Sequence, residues 1–373
     1  MKRVDTTPRK DWQAKLEAAG FGFHTTTVPY WNENHYYSIS MPEADAIHEA
    51  TQELWDMCLV AVQHVIDNDL WEKFHIPLFM RQHIINSWNN DVPSIYGRFD
   101  LVVKPDGTIK MLEFNADTPT SLYEAAVAQW DWLQETNPNK DQFNSIHEEM
   151  IAYWSYLKPF LNSGPIYFSC IKNSLEDYTT TEYMRDCAIQ AGLDARFINM
   201  EDIGWNGFDF TDLDEDRIPN LFKLYPWEWL VNEEFGQHVP SSSTLFIEPS
   251  WRMILSNKAI LPILWELFRG NKYLLASYFT KDTLVNYVKK PLLSREGSNV
   301  QIYENNTLVA ETTGEYGEEG FVYQELCKLP EFGTDKVIVG SWVVGQKPVG
   351  IGFRESTTSI SDDKSRFVPH LIE

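Results

Sequence analysis

Nowhere in the 373 residues does an apolar run approach the roughly 18 needed to cross a bilayer, so no membrane-spanning helix is read. The four cysteines, Cys58, Cys170, Cys187 and Cys327, lie far apart, without CxxC spacing or a nearby histidine. That excludes a readable zinc site or redox pair and leaves reduced core residues. Repeats and low-complexity tracts are absent. Basic residues are scarce, with 31 Lys and Arg against 54 Asp and Glu, a formal net charge of −23. Such a chain repels a phosphate backbone and anionic lipid, which excludes nucleic acid and membrane as partners but permits divalent cations or polycationic amines. The N-terminal "MKRVDTTPRKDWQAKLEAAG" turns amphipathic and not apolar, so a cytoplasmic protein is the default.

Aromatic residues, by contrast, are abundant: 14 Trp, 17 Tyr and 21 Phe in a chain that is 43% hydrophobic. This composition belongs to a globular protein with a sizeable core, and the length suits one large or two to three ordinary domains. Residues 1–160 read as a helical region with an embedded hairpin. Apolar residues recur at three-to-four spacing through "PEADAIHEATQELWDMCLVAVQHVIDNDLWEKF", and "YGRFDLVVKPDGTIKMLEFNAD" then alternates as two strands. Residues 161–250 read as α/β, with "PIYFSCI" as a strand, a helix stopped by Gly192 and a further strand. Residues 251–373 hold one helix, "NKAILPILWELFRG", and then a run of strands expected to form an antiparallel sheet.

Three places carry candidate chemistry. In the hairpin, Arg98 and Asp100 sit two apart on one strand, and Glu113 and Asn115 two apart on the other. A two-residue Asp106-Gly107 turn pairs Asp100 with Glu113 and Arg98 with Asn115. Pro105 instead favours a Pro-Asp turn with Gly107 as a bulge, which shifts the register by one and requires a second bulge to restore the cluster. Two carboxylates and an amide oxygen are hard ligands suited to Mg²⁺, although the same spacing suits a solvent-facing charged strand. The second place is "YVKKPLLSREGSNV", where Lys289 and Lys290 precede a Gly-Ser loop bearing Arg295 that is able to fold over phosphates; an ordinary hairpin is the bland alternative. Downstream, "FVYQEL" places Gln324 and Glu325 on a strand whose edge-exposed backbone would pair with an adenine ring. The third is "VGIGFRES", which delivers Arg354 and Glu355 at the end of a strand, where Arg354 would neutralise a phosphoryl group or simply face solvent. Lys258 reads equally as a solvated residue near a helix cap.

Taken together and in order, "GRFD", "EFNAD", "NKAILPILWELF", "YVKKPLLSREGSN", "VYQEL" and "GFRES" resemble the synthetase domain of the glutathionylspermidine synthase family. The resemblance runs from about Asp11 to the end. It implies an α+β / α/β protein with an ATP-grasp fold and a preATP-grasp-like segment. Its metal-ligand hairpin precedes the lysine-bearing lid, the inverse of the usual ATP-grasp order. It implies an ATP-dependent carboxylate–amine ligase that forms an amide through an acyl-phosphate, releasing ADP and phosphate, with ATP and Mg²⁺ as cofactors. Carried over by residue, Asp100, Glu113 and Asn115 correspond to Mg²⁺ ligands and Arg98 to the arginine beside the transferred phosphoryl group. Lys258 and Lys290 correspond to nucleotide-phosphate lysines, Gln324, Glu325 and Leu326 to the adenine stretch, Arg295 to the mobile-loop arginine and Arg354 to the second reaction-centre arginine. Glu176 in "SLEDYT" matches an acidic residue near the substrates.

Where the family has glutathione-binding serines this chain has Thr118-Pro119-Thr120, so hydroxyls persist while Pro119 removes a backbone donor. The amidase domain of bifunctional members has no counterpart, so ligation without hydrolysis is expected. The partners implied are a small-molecule acid, such as a peptide like glutathione, and an amine, such as a polyamine. The oligomeric state is open, a homodimer included. One alternative retains ATP but uses an amino acid or peptide amine. Another is a non-catalytic nucleotide-binding module, which requires damage at the metal or lysine positions, and none is present. Of the 54 acids, Asp100, Glu113, Glu176 and Glu355 are the candidates for functional charge.

Overall fold

The computed structural model describes residues 1–25, 29–360 and 365–373. Two segments remote in sequence, residues 96–115 and 331–368, are zipped together at its centre. Strands Arg366–Val368, Lys347–Ser356, Asp335–Val344, Tyr96–Val103 and Ile109–Asn115 lie side by side in that order, antiparallel, with the short Glu331–Phe332 strand also paired to Asp335–Val344. Every residue of Tyr96–Val103 is buried, as a strand covered on both faces must be. One cover is the helix Met41–Asp67, which turns Ile47, Leu54, Cys58, Ala61 and Val65 inward at helical spacing. It starts in a capping box, in which the Ser40 backbone N–H donates to Glu43 Oε2 at 2.8 Å, and Thr51 Oγ1 lies 2.7 Å from Ser341 Oγ on the sheet.

The run of C-terminal strands thus forms two sheets where the sequence led to one. The second is five-stranded and antiparallel, in the order Ser277–Tyr278, Phe321–Glu325, Tyr287–Pro291, Gln301–Glu304 and Thr307–Glu311. The strands after Pro330 leave it because their partner, the hairpin near residue 100, lies far upstream, and local patterning carries no information about so distant a pairing. The strand, helix and strand expected after Pro165 are present. Leu245–Ile247, Asn220–Leu224, Ile166–Cys170 and Ala195–Asn199 form a parallel sheet, with the helix Leu175–Gln190 as crossover and Gly192 at φ 85° ending it. A small sheet of Lys2–Asp5, His35–Ile39 and His370–Ile372 joins the two ends of the chain. Cys58, Cys170 and Cys187 are buried thiols, and among the described residues no helix is long and apolar enough to cross a membrane.

A buried ion pair helps to fasten the parallel sheet to the central hairpin. Asp117, two residues beyond the hairpin strand, accepts Lys223 Nζ at 2.8 Å through Oδ1 and the Trp227 backbone N–H at 2.7 Å through Oδ2. Both side chains are essentially inaccessible. Burial pulls the Lys223 ammonium below its ordinary pKa against the opposing effect of Asp117. Removing one partner leaves a desolvated charge, so Lys223→Met is expected to cost about 3–5 kcal/mol, read as a lower urea midpoint. The double variant Asp117→Asn/Lys223→Met should recover part of that loss, because no unpaired charge remains.

Candidate functional site

The hairpin resolves its register in two steps. Pro105, Asp106 and Gly107 form a three-residue turn in which the Lys104 N–H donates to the Thr108 carbonyl at 2.8 Å, with Gly107 at φ 84°. Val103 accordingly faces Ile109 and Leu101 faces Met111, one residue out of the register that would join the charged groups. Leu112 is then the extra residue of a bulge, after which Asp100 faces Glu113 and Arg98 faces Asn115. Both bulges required by Pro105 are therefore present. The displaced Leu112 carbonyl is put to use, accepting a hydrogen bond from Lys290 Nζ at 3.0 Å.

Two guanidinium groups close on Asp100. Arg98 Nε donates to Oδ1 at 2.8 Å, and Arg354 Nη2 donates to Oδ2 at 2.5 Å. Arg354 reaches across an intervening strand because that strand presents Gly340 opposite both Asp100 and Gly352. A Cβ on Gly340 would stand 2.8 Å from Arg98 Cδ, so the glycine is needed for this close approach. Arg98 Nη1 also donates to the Thr120 carbonyl. Lys258 is not the solvated residue of the bland reading. Its Nζ donates to the Ser294 carbonyl at 2.5 Å and lies 3.6 Å from Glu113 Oε2. Strand alternation sends Lys290 toward the cavity and Lys289 to the opposite face, over the Phe321 ring.

All of the residues carried over from the sequence line one cavity of about 220 Å³. At one end Gln324, Glu325 and Leu326 stand among Val288, Ile302, Ile338 and Ile360. The expectation of an exposed strand edge there is corrected. Phe321–Glu325 is an interior strand, and the Glu325 and Leu326 N–H groups already donate to Ala276 and Asn286 carbonyls at 2.7 and 3.1 Å. The two-residue strand Ser277–Tyr278 that covers it was too short to read. Arg295 closes the roof, donating to Thr118 Oγ1 while Nη1 lies 3.5 Å from Glu228 Oε1. Thr118, Thr120 and Glu176 complete the wall. Glu355 does not belong to the site. It faces away from Arg354 and is engaged by Arg3 Nε and His35 Nε2, both at 2.8 Å, and by Tyr37. The sequence reading missed Tyr30, Ser121, Glu228 and Glu296, which also line the cavity. Glu228 carried a signal in the polar interruption of "YPWEWL" and Glu296 lies in the Gly-Ser loop beside Arg295, whereas Tyr30 and Ser121 carried none.

The field inside the cavity is sharply divided. Burial alone would raise the Asp100 carboxyl, but Arg354 and Arg98 outweigh it and hold the group at about 2. Glu113 is likewise lowered, its burial overcome by Lys258 and Lys290. Burial brings the Lys290 ammonium down to about 8 despite Glu113. On the opposite wall the shifts reverse: burial, reinforced by Glu124 and Asp177, pushes Glu176 up to about 8, and burial raises Glu228 against Arg295. Asp100, Glu113 and Asn115 present a hard oxygen donor set on one face, and the buried Asn115 Nδ2 has no hydrogen-bond partner. The residues therefore fit a divalent cation of the Mg²⁺ kind. The third donor is an amide, since among the described residues no group of three His, Cys, Asp or Glu forms a metal site.

The model of the family described as glutathionylspermidine synthase preATP-grasp matches residues 3–373. A Haemophilus influenzae protein to which acid–amine ligase activity is ascribed is 41% identical over 394 residues, covering 100% of both chains. Trypanothione synthetase of Crithidia fasciculata is 28% identical over 383 residues, 93% of this chain and 57% of that one. The bifunctional glutathionylspermidine synthetase/amidase of Escherichia coli is 27% identical over 376 residues, 91% of this chain and 59% of that one. This chain thus spans less than two thirds of the latter two. A solved glutathione synthetase-like effector of Globodera pallida, in its apo form, shares the mixed α/β fold with a TM-score of 0.55 at 10% identity, over 91% of this chain and 89% of its own. The chain belongs to the glutathionylspermidine synthase preATP-grasp family.

Proposed function

We propose that the chain is an ATP-dependent acid–amine ligase of ATP-grasp type, its metal-ligand hairpin preceding the lysine-bearing sheet in sequence. The observation that carries this reading is the convergence of Arg98, Arg354, Lys258 and Lys290 on the face that bears Asp100, Glu113 and Asn115. A carboxylate is a poor acyl donor because its leaving group is oxide, and phosphorylation makes it an acyl-phosphate that an amine attacks. Phosphoryl transfer calls mainly for positioning and charge neutralisation.

Each element of the cavity suits one part of that task. Lys258 and Lys290 hold phosphate oxygens of ATP, and the apolar end beside Gln324, Glu325 and Leu326 takes the adenine. Asp100, Glu113 and Asn115 hold Mg²⁺, which neutralises phosphate charge when bound. Arg98 and Arg354, already fixed on Asp100, offset charge developing on the transferred phosphoryl group. Arg295 closes its Gly-Ser loop over the site and keeps water from the activated acid. Thr118 and Thr120 face the acid, and the acidic wall of Glu176, Glu228 and Glu296 favours a cationic amine over a neutral one. Three working parts, residues 1–160, 161–250 and 251–373, meet at this cavity.

A matrix of small carboxylic acids against amines, glutathione and spermidine included, tests the reading. ADP release together with a product mass equal to acid plus amine minus water supports it, and turnover with no acid–amine pair refutes it. Glu113→Gln should lower magnesium-dependent ADP release about 10²–10³-fold with little change in thermal midpoint; unaltered turnover would remove Glu113 from the metal set. Lys290 sits at about 8 in the free protein, so it is partly neutral above that pH, and binding phosphates favours its charged form. Above pH 8, ATP binding should therefore take up protons and weaken as pH rises. Calorimetry in buffers of different ionisation enthalpy reads that uptake, which Lys290→Met should abolish.

A further inference from the structure

Opposite the arginines lies a carboxyl group that none of these roles uses. Glu124 is fully buried, and its Oε2 has no hydrogen-bond partner. Its Oε1 accepts a hydrogen bond from the Tyr30 hydroxyl, and Tyr30 Oη lies 2.9 Å from Ser121 Oγ. Tyr30, Ser121 and Glu176 all line the cavity, whereas Glu124 stands one side chain behind it. Two local irregularities make this arrangement. Ser121 occupies the left-handed region at φ 67°, unusual for a residue with a side chain, directly after the Thr120 carbonyl that receives Arg98. Glu124 then opens a single π-helical turn, Glu124–Ala128, before the regular helix Gln129–Thr136. Both depart from the regular helix that "SLYEAAVAQWDWLQE" leads one to expect.

We propose that Tyr30 and Glu124 form a proton relay that takes the proton an acceptor ammonium must lose before it attacks the activated acid. The inference rests on the ligase reading. An ammonium drawn to the Glu176 side of the cavity donates a proton to Tyr30 Oη as the Tyr30 hydroxyl proton passes to Glu124. The N–H bond breaks and the Glu124 O–H bond forms, so Tyr30 ends neutral, as it began. The freed lone pair forms the C–N bond, and phosphate leaves with the electrons of the C–O bond. After attack the second amine proton passes to the departing phosphate, and Glu124 returns its own through Tyr30 and Ser121 to water. Tyr30 is the catalytic residue in this scheme, and Glu124 acts through it.

The surroundings suit the exchange. Burial pushes the Glu124 carboxyl up to about 7, against the Tyr30 hydrogen bond and the more distant Arg98 and Arg354. The other ionisable groups that face this corner are Glu176 on the helix Leu175–Gln190 and Tyr123 beside Glu124. Tyr30, buried beside Glu124 and Glu176, is raised well above its ordinary value and stays protonated at rest. The carboxylate form is the competent one, so turnover should rise with pH through the neutral range and fall below it.

Glu124→Gln retains the oxygen that receives Tyr30 but cannot take a proton. With glutathione, ATP and spermidine the variant should lose about 10²-fold or more in kcat, together with the acidic limb of the pH profile. With hydroxylamine as nucleophile, largely unprotonated at neutral pH, hydroxamate formation should stay near the wild-type rate. Tyr30→Phe should follow the same pattern. Equal losses with both nucleophiles, or an unchanged acidic limb, would overturn the relay. A measurement without substrates accompanies these: infrared difference spectra of wild type against Glu124→Gln should contain a buried protonated-carboxyl band that disappears as pH rises through neutrality. If that band is absent or does not titrate, the relay alone is refuted. If the wild-type protein releases no ADP with any acid–amine pair of the matrix or with hydroxylamine, the ligase reading fails and the relay with it.

Discussion

A carboxylate taken out of water is tolerable only when opposite charge and hydrogen bonds replace the solvent, and Asp100 is buried on an interior strand of the central sheet, Tyr96–Val103. Arg98 and Arg354 meet that requirement, and much of the architecture follows from bringing them there. Arg354 belongs to a strand some 250 residues downstream, so the first and last parts of the chain must share a sheet. Gly340 must stand between them because a side chain there would collide with Arg98. The bulge at Leu112 must return Glu113 and Asn115 to the same face, and its carbonyl then fixes Lys290. A single buried charge thus connects sheet topology, glycine placement and the position of a lysine on the second sheet.

This dependence explains why some of the molecule could be read from the sequence and some could not. The hairpin and the strand–helix–strand unit are encoded locally, through alternation and Pro105-Asp106-Gly107 turn chemistry, whereas the cavity residues that were found came from the family resemblance of motifs in order. Pro105 even signalled the two bulges, because a three-residue turn leaves the charged pairs one step out of register. Pairing across hundreds of residues has no such signature, and the division of the C-terminal strands into two sheets was invisible for that reason. The same holds for Glu325, whose amide is occupied by a strand of two residues, and for Glu355, whose strand position beside Arg354 hides its orientation toward Arg3 and His35. Tyr30 and Glu124 escaped notice because an isolated tyrosine and a helical glutamate look like any others until the fold stacks them.

Net charge also takes on a structural meaning. A balance of −23 disfavours polyanions in general. Within the cavity, however, Arg98, Lys258, Lys290 and Arg354 gather around Asp100 and Glu113, while Glu176, Glu228 and Glu296 line other parts of the wall, Glu228 beside Arg295. The cationic side suits a nucleotide despite the acidic surface, and the acidic side suits an amine. A ligase joining an activated acid to a cationic nucleophile requires both fields within a few ångströms, and neither composition nor net charge reveals their separation.

The central claim is that the cavity transfers phosphate from ATP to a carboxylate before the amine attacks. Oxygen-isotope transfer addresses it directly. With the acid substrate labelled with ¹⁸O in its carboxylate, the account predicts that inorganic phosphate released during amide formation carries one labelled oxygen from the acid, as seen by mass spectrometry or ³¹P NMR. Amide formation that leaves the phosphate unlabelled would contradict it.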